Sequence, residues 1–189
     1  SMQMLRHQLG ETVAVFGPGP GGLAFIQLAR AAGATFVVLV GTREERLKLG
    51  RELGADATIN VREEDAVQRI YELTNGRGVD ISIEASGATT AIADAMKATR
   101  KQGQIMIFGI YSENAELDMQ DMHARELNIL GSSGCPWSMP AAVELVASGR
   151  VKVTPMITHR VDLKGLERLF TERIIEQRKE GYIKAVLLM

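Results

Sequence analysis

The stretch Thr12-Val13-Ala14-Val15-Phe16-Gly17-Pro18-Gly19-Pro20-Gly21-Gly22-Leu23 decides the fold. Its first five residues are apolar or β-branched, the composition of a short buried strand. A glycine cluster follows. Then Leu23–Ala32 places Leu23, Ile26 and Ala29/Arg30 at helical spacing, closed by Gly33. The spacing predicts strand, tight turn and helix, with Gly33 as a left-handed cap. Gly17, Gly19 and Gly22 satisfy G-x-G-x-x-G in that context. In such a motif the first glycine makes the turn, the second lets backbone approach a pyrophosphate, and the third lets helix and strand pack closely. Free N–H groups and the positive end of the helix dipole then face the phosphates. Pro20 suits the first helical turn, where its missing N–H costs nothing. Two other readings share this turn: a glycine-rich bend needed only for packing, and the first turn of a methyltransferase sheet.

Outward from the turn, strands and helices alternate. Thr35–Val40 is apolar on both faces, as a buried parallel strand requires, and Thr42–Leu53 is a polar-rich helix ended by Gly54. Ala57–Ile59 reads as a short strand, and Glu63–Thr74 carries Val67, Ile70 and Leu73 on one helical face. Val79–Glu84 is a strand, Thr89–Thr99 a helix, Gln104–Gly109 a strand and Leu127–Leu130 a sixth. This order predicts βαβ units with right-handed crossovers. The fold class is α/β: a doubly wound parallel six-stranded sheet of Rossmann type in three αβα layers. Ser138 and Pro140 open a further helix, Met139–Ala147, with Gly149 beyond its end. Val151–Val161 then reads as extended, Leu163–Ile174 as an amphipathic helix and Ala185–Met189 as a strand-like tail. The change of character places a boundary near Arg150, giving a dinucleotide-binding region at 1–150 and a C-terminal segment at 151–189.

Composition narrows the classes of function. The chain has 189 residues, 46% apolar and 24% charged, which suits a globular core. Lys and Arg number 22 against 23 Asp and Glu, a net charge of −1, and no basic cluster offers a nucleic-acid footprint. One cysteine excludes an internal disulfide framework and a multi-cysteine zinc site. No apolar run has membrane-spanning length, and no signal-peptide pattern opens the chain; Ser1-Met2 reads as a tag-removal scar. The expectation is a cytoplasmic protein that engages neither membrane nor nucleic acid.

The end of the second strand tests cofactor choice. An acidic residue about 20 residues beyond the motif would bind an adenosine ribose and repel a 2′-phosphate. That place, nineteen residues after Gly22, is Gly41. Gly41-Thr42-Arg43, with Arg46 one turn on, instead offers a small residue, a hydroxyl and guanidinium groups suited to a phosphate. The reading favours NADP(H) over NAD(H). Alternatively, Arg43 and Arg46 decorate an exposed helix beside Glu44 and Glu45.

Several separated stretches agree in order with one family. VAVFGPGPGGLAFIQLARAAGA, RLKLGRELGAD, EASG, ILGSS and PMITHRVDL resemble the zinc-containing medium-chain dehydrogenases, most closely the sorbitol, threonine and butanediol dehydrogenase group. The resemblance runs from Glu11 to Leu188. It implies hydride transfer between an alcohol or polyol and NADP or NAD. It also implies that the zinc, its ligands and most of the substrate pocket belong to a catalytic domain upstream of this chain, to which the segment from about Thr154 to Met189 returns. Carried over by position, Gly17, Pro18, Gly19, Pro20, Gly21, Gly22 and Leu23 match the pyrophosphate loop. Gly41, Thr42 and Arg43 resemble the Gly-Ser-Arg of NADP-dependent relatives, whose additional tyrosine is replaced here by Val61, and Arg46 matches a basic residue near the ribose. Ala85, Ser86 and Gly87 match the turn along the cofactor's middle. Phe108, Gly109 and Ile110, with Ser132 and Ser133, match two backbone edges at the nicotinamide amide. Lys184 matches a basic residue that reaches the pyrophosphate. The family also pairs through a sheet edge, which implies a homodimer or homotetramer with Ala115–Asp118 and Leu127–Leu130 near that edge. Without the catalytic domain, Met156, Ile157 and the terminal AVLLM segment are expected to be exposed.

No catalytic set of this chain's own emerges. Tyr71, Tyr111 and Tyr182 are followed four places on by Asn75, Ala115 and Val186, so Tyr-x-x-x-Lys is absent. His7, His123, His159 and Cys135 lack metal-ligand spacing, and Cys135 beside Pro136 and Trp137 reads as a packed thiol. Asp80, Ser82 and Glu84 mark one face of a strand rather than an acid pair. No catalytic or metal-ligating residue is assigned, and the isolated chain is expected to bind cofactor without catalysis. A non-catalytic dinucleotide-sensing module is the alternative reading.

Overall fold

The structure, a computed structural model, describes residues 2–134, 136–177 and 181–189. The chain divides into two units, Ser1–Val151 and Lys152–Met189. In the first, β1 (Thr12–Phe16), β2 (Phe36–Gly41), β3 (Ala57–Asn60), β4 (Val79–Glu84), β5 (Thr99–Ile107) and β6 (Asn128–Gly131) form one parallel sheet in the order β3-β2-β1-β4-β5-β6. The winding reverses between β1 and β4, the place where a doubly wound sheet opens a crevice at its carboxyl edge.

The strands are apolar on both faces because both faces are covered. Val13 and Val15 are buried on one side of β1; Ala14 and Phe16 join Val38, Val40, Ile59, Ile70, Ile92 and Ile105 in a core cluster on the other. Helix α1 (Pro20–Ala31) packs on β1 and β2 and touches α2 (Glu44–Glu52). Helices α3 (Ala66–Leu73) and α4 (Thr89–Ala98) pack on each other, and α4 lies on β4 and β5. Gly50 lets α2 approach β2, for a Cβ there would collide with the Leu39 side chain. Gly33 caps α1 as expected, at φ +97°, and the Ala34 N–H reaches back to the Ala29 carbonyl at 3.0 Å.

Some boundaries differ from the sequence reading. α3 begins at Ala66 rather than Glu63, because Asp65 caps it by accepting from the Gln68 N–H at 2.8 Å. β5 starts at Thr99 and ends at Ile107, and its register on β4 jumps between Val79↔Thr99 and Ile81↔Gln104. Helix α5 (Met119–Ala124), capped by Asp118, had no counterpart in the sequence reading. Ala115–Asp118 forms no strand, while β6 lies at the sheet edge. The helix after β6, α6 (Met139–Ala147), has the expected bounds. Cys135, expected as a packed thiol, lies outside the described residues.

In the second unit, β7 (Ile157–Val161) and β8 (Lys184–Leu187) pair in parallel. Thr154–Met156, read as extended, is a 3-10 turn with Pro155 at its start, and Met156, expected at the surface, is 6% exposed. The amphipathic helix ends earlier than its pattern suggests. α7 (Leu163–Thr171) is capped by Asp162, and α8 (Ile174–Gln177) follows a break at Arg173, where φ is +56°.

Candidate dinucleotide-binding site

Four loops converge at the carboxyl edge of the sheet, and glycines let them touch. Gly17 has φ +108°, and its N–H donates to the Val40 carbonyl at 2.8 Å. A Cβ on Gly17 would stand 2.8 Å from the Ser86 Cβ, so the turn after β1 lies against the turn after β4. A Cβ on Gly22 would strike the Gly17 carbonyl oxygen, which makes this glycine a condition for closing the turn itself. Gly21 leaves room for the Phe108 ring, which also meets Phe25 of α1 edge-on at 4.8 Å between centroids.

Gly19 differs. Its φ is −79° and ψ 178°, extended backbone open to any residue, and no atom lies within 4 Å of where its Cβ would be. Among the described residues, only Gly19 and Gly131 combine an unrestricted φ with open space. Both lie at carboxyl ends of strands. Gly19 is also the N-cap of α1 and makes no side-chain capping bond to its first-turn N–H groups. Neither conformation nor packing among the described residues calls for glycine at 19.

At the end of β2, a Cβ on Gly41 would stand 2.5 Å from the Pro18 ring. The lack of a side chain there therefore has a packing cause. Thr42 is exposed and Arg43, the N-cap of α2, is half-buried. Arg46 is only 3% exposed, which overturns the alternative that it decorates an exposed helix face.

On the other side of the switch point, Glu84 ends β4 with its side chain fully buried. Its carboxylate accepts from the Ser86 N–H at 2.7 Å, the Ser86 hydroxyl at 2.5 Å and the Gly87 N–H at 3.0 Å. The Tyr111 hydroxyl donates to it at 2.7 Å. Burial, then that bond and the carboxylate's charge, hold the Tyr111 phenol above the ordinary tyrosine range. Gly87, at φ +75°, packs on the Ile110 carbonyl, while the Ile110 side chain is 94% exposed. Ser132 is buried with its N–H on the Ile107 carbonyl at 2.8 Å, and Ser133 is exposed. The residues expected around a dinucleotide thus share one strand edge, Lys184 excepted: it opens β8 in the second unit. Glu84 and Tyr111 were not among the residues expected there. The signal for Glu84 was present, since it opens the EASG stretch.

Asp80 and Glu84 do not form an acid pair. Asp80 begins β4 at the opposite edge, bound by Thr12, Arg77 and Arg100. A polar cavity of about 380 Å³ opens beside Asp80, lined by Arg6, Glu11, Arg100 and Gln104 among others. Among the described residues no three His, Cys, Asp or Glu stand together so as to hold a metal, and zinc finds no ligand set among them. Nor is any described helix long and apolar enough to cross a membrane.

A parallel sheet wound both ways, with an uncapped helix behind an open glycine at its switch point, defines a Rossmann-type nucleotide-binding domain. The family comparison makes it specific. The zinc-binding dehydrogenase family matches residues 20–148. The chain belongs to that family, as its dinucleotide-binding domain. It is 35% identical over 173 residues to the D-arabitol-phosphate dehydrogenase of Enterococcus avium, covering 89% of this chain and 49% of that protein. It is 32% identical over 174 residues to the sorbitol dehydrogenase of Bacillus subtilis, covering 92% and 49%. Among solved structures, one described as a zinc-binding dehydrogenase from Sinorhizobium meliloti bound to NADP superposes with TM-score 0.89 at 30% identity, over 100% of this chain and 55% of that one. The 2R,3R-butanediol dehydrogenase of Bacillus subtilis gives 0.86 at 29%, over 100% and 53%. The chain spans about half the length of the relatives it matches.

Proposed function

We propose that this chain holds NADP(H), in preference to NAD(H), for a zinc-dependent alcohol or polyol dehydrogenase whose catalytic half precedes it. The observation that carries the reading is Gly19: an open position in an unrestricted conformation, at the mouth of an uncapped helix. Backbone N–H groups of Gly21 and Gly22 would receive the pyrophosphate. Gly41 leaves the adenosine ribose without a competing carboxylate, and Thr42 and Arg43 would bind its 2′-phosphate, with Arg46 close behind. The turns at Ala85–Gly87, Phe108–Ile110 and Ser132–Ser133 would border the nicotinamide half. When bound, the cofactor supplies hydride transfer at its nicotinamide ring; the chain's own task is to bind and orient it. The NADP seen in the Sinorhizobium meliloti protein supports the choice of cofactor. By the same reading the protein acts in the cytoplasm, and copies associate through the edge strand β6. A strictly monomeric species in sedimentation at high concentration would remove that last part.

The test is calorimetric titration of the 189-residue chain with NADPH, NADH and S-adenosylmethionine. NADPH is expected to bind most tightly and S-adenosylmethionine not at all. Binding of S-adenosylmethionine alone would overturn the reading. On Arg43→Ala, NADPH should weaken about tenfold, as expected for a lost charge-assisted phosphate contact, and NADH little. Equal losses would take the phosphate role away from Arg43.

A further inference from the structure

A carboxylate is rarely buried to the extent of Glu84 unless its bonds are filled, and here its partners lie in two turns. The side chain holds Ser86 and Gly87 after β4 and Tyr111 after β5. The Glu84 backbone carbonyl adds the Phe108 N–H at 2.8 Å and the Gly109 N–H at 3.0 Å. Gly109 keeps the space open, since a Cβ there would collide with the Glu84 carboxylate and the Gly87 N–H. One residue therefore ties two successive strand-end loops together, and it is joined to a third. The Ala85 N–H bonds the Phe16 carbonyl at 2.8 Å, immediately before the glycine turn.

The position of these loops gives the tie its meaning. In a doubly wound sheet a dinucleotide straddles the reversal point. Its adenosine half lies on the side of the second strand, so its other half lies beyond the reversal, over β4, β5 and β6. The loops that Glu84 ties together are the ones that half would meet. Apolar packing secures the β1 and β2 strand bodies; a buried, fully engaged carboxylate is used where loop backbone must be held with its N–H groups in set directions.

We infer that the Glu84 carboxylate and the Tyr111 hydroxyl form a positioning pair, which holds the Ser86–Gly87 and Phe108–Ile110 backbone edges against the nicotinamide half of the bound dinucleotide. The inference rests on the dinucleotide-binding reading. It assigns neither residue a chemical step. The phenol donates and the carboxylate accepts.

Tyr111→Phe separates this role from a purely structural one, because it removes one bond and leaves those to Ser86 and Gly87 intact. The full chain is titrated with NADPH and with 2′,5′-ADP, which carries only the adenosine end; NADH and ADP form the parallel pair. For Tyr111→Phe we expect 2′,5′-ADP affinity within about twofold of wild type and NADPH affinity reduced about tenfold, the scale of one hydrogen bond to a charged group. The change in nicotinamide fluorescence on binding should shrink as well. Glu84→Gln, which cannot accept from all the same donors, should show the same split more strongly where it folds. Unchanged NADPH affinity in Tyr111→Phe, or equal losses for both ligands, overturns the inference while the dinucleotide reading stands. A wild-type chain that binds neither NADPH nor NADH overturns both.

Discussion

Gly19 and Gly22 belong to one motif, yet packing demands glycine only at 22, and substitution separates them. Gly22→Ala sets a methyl against the Gly17 carbonyl, a backbone atom that cannot move aside without opening the turn. It should cost about 1–3 kcal/mol, in the range of overpacking. Gly19→Ala meets no atom and needs no unusual φ. It should leave the fold unharmed or more stable by about 0.5 kcal/mol, through the narrower unfolded ensemble. Its NADPH affinity should nevertheless fall at least about tenfold, since the methyl would stand where the phosphates approach. Thermal melting and titration of both variants check this pair of outcomes. Full affinity in Gly19→Ala would show that the open position faces nothing. Such distinctions are only partly legible in sequence. Spacing assigns the three glycines their tasks, but Gly41 shows the limit: read alone it speaks of cofactor choice, whereas its contact with the Pro18 ring appears only once two distant turns are folded together. Glu84 stood in view at the head of the EASG stretch, but its bond to Tyr111 was not, because the two meet only through the folded loops after β4 and β5.

At the scale of elements, β1 and β4 are clamped at one end by Asp80. Its carboxylate accepts from the Thr12 N–H and hydroxyl, both at 2.8 Å, and lies against Arg77 and Arg100. Burial alone would raise its pKa; the bonds from Thr12 and Arg100 and the Arg77 charge outweigh that and hold it below the ordinary aspartate value. A carboxyl whose folded pKa is depressed adds stability above its unfolded pKa of about 3.9 and loses it as pH falls through the folded value. Asp80→Asn should therefore destabilise the chain by about 2 kcal/mol near neutral pH. The difference from wild type should shrink as pH falls below about 4. Urea unfolding at about pH 7 and about pH 3 tests it; a gap that stayed constant would mean the charge is not what matters. The strands themselves were legible because buried parallel strands are continuous apolar runs. The start of β5 was not, for Thr99–Gly103 is mostly polar and its pairing depends on a register jump. α5 escaped because it is short, contributes no buried residue and is announced only by Asp118. The break before α8 was invisible because Arg173 carries no sign of its positive φ.

For the whole molecule, the question is what 189 residues can do unaided. The strand edge gathers backbone donors, open glycines and arginines, all suited to holding an anionic dinucleotide. It gathers no acid–base pair among the described residues: Glu84 is committed to two loops, and Tyr111 is committed to Glu84. The described residues assemble no metal-ligand cluster, and the relatives matched are about twice as long. Binding and chemistry are therefore expected to separate. The chain alone, given NADP⁺, zinc and an alcohol or polyol such as butanediol or sorbitol, should bind cofactor in a titration and form no NADPH above background by absorbance. On the proposed reading, the same residues joined to a zinc-bearing catalytic domain should turn over, with this chain supplying the oriented cofactor and the added domain supplying Lewis-acid chemistry. Tyr111→Phe in that longer protein should lower turnover through the nicotinamide end alone. Zinc-dependent NADPH formation by the chain on its own would mean that the catalytic groups lie within it after all, and the division of labour between its strand edge and a preceding half would be wrong.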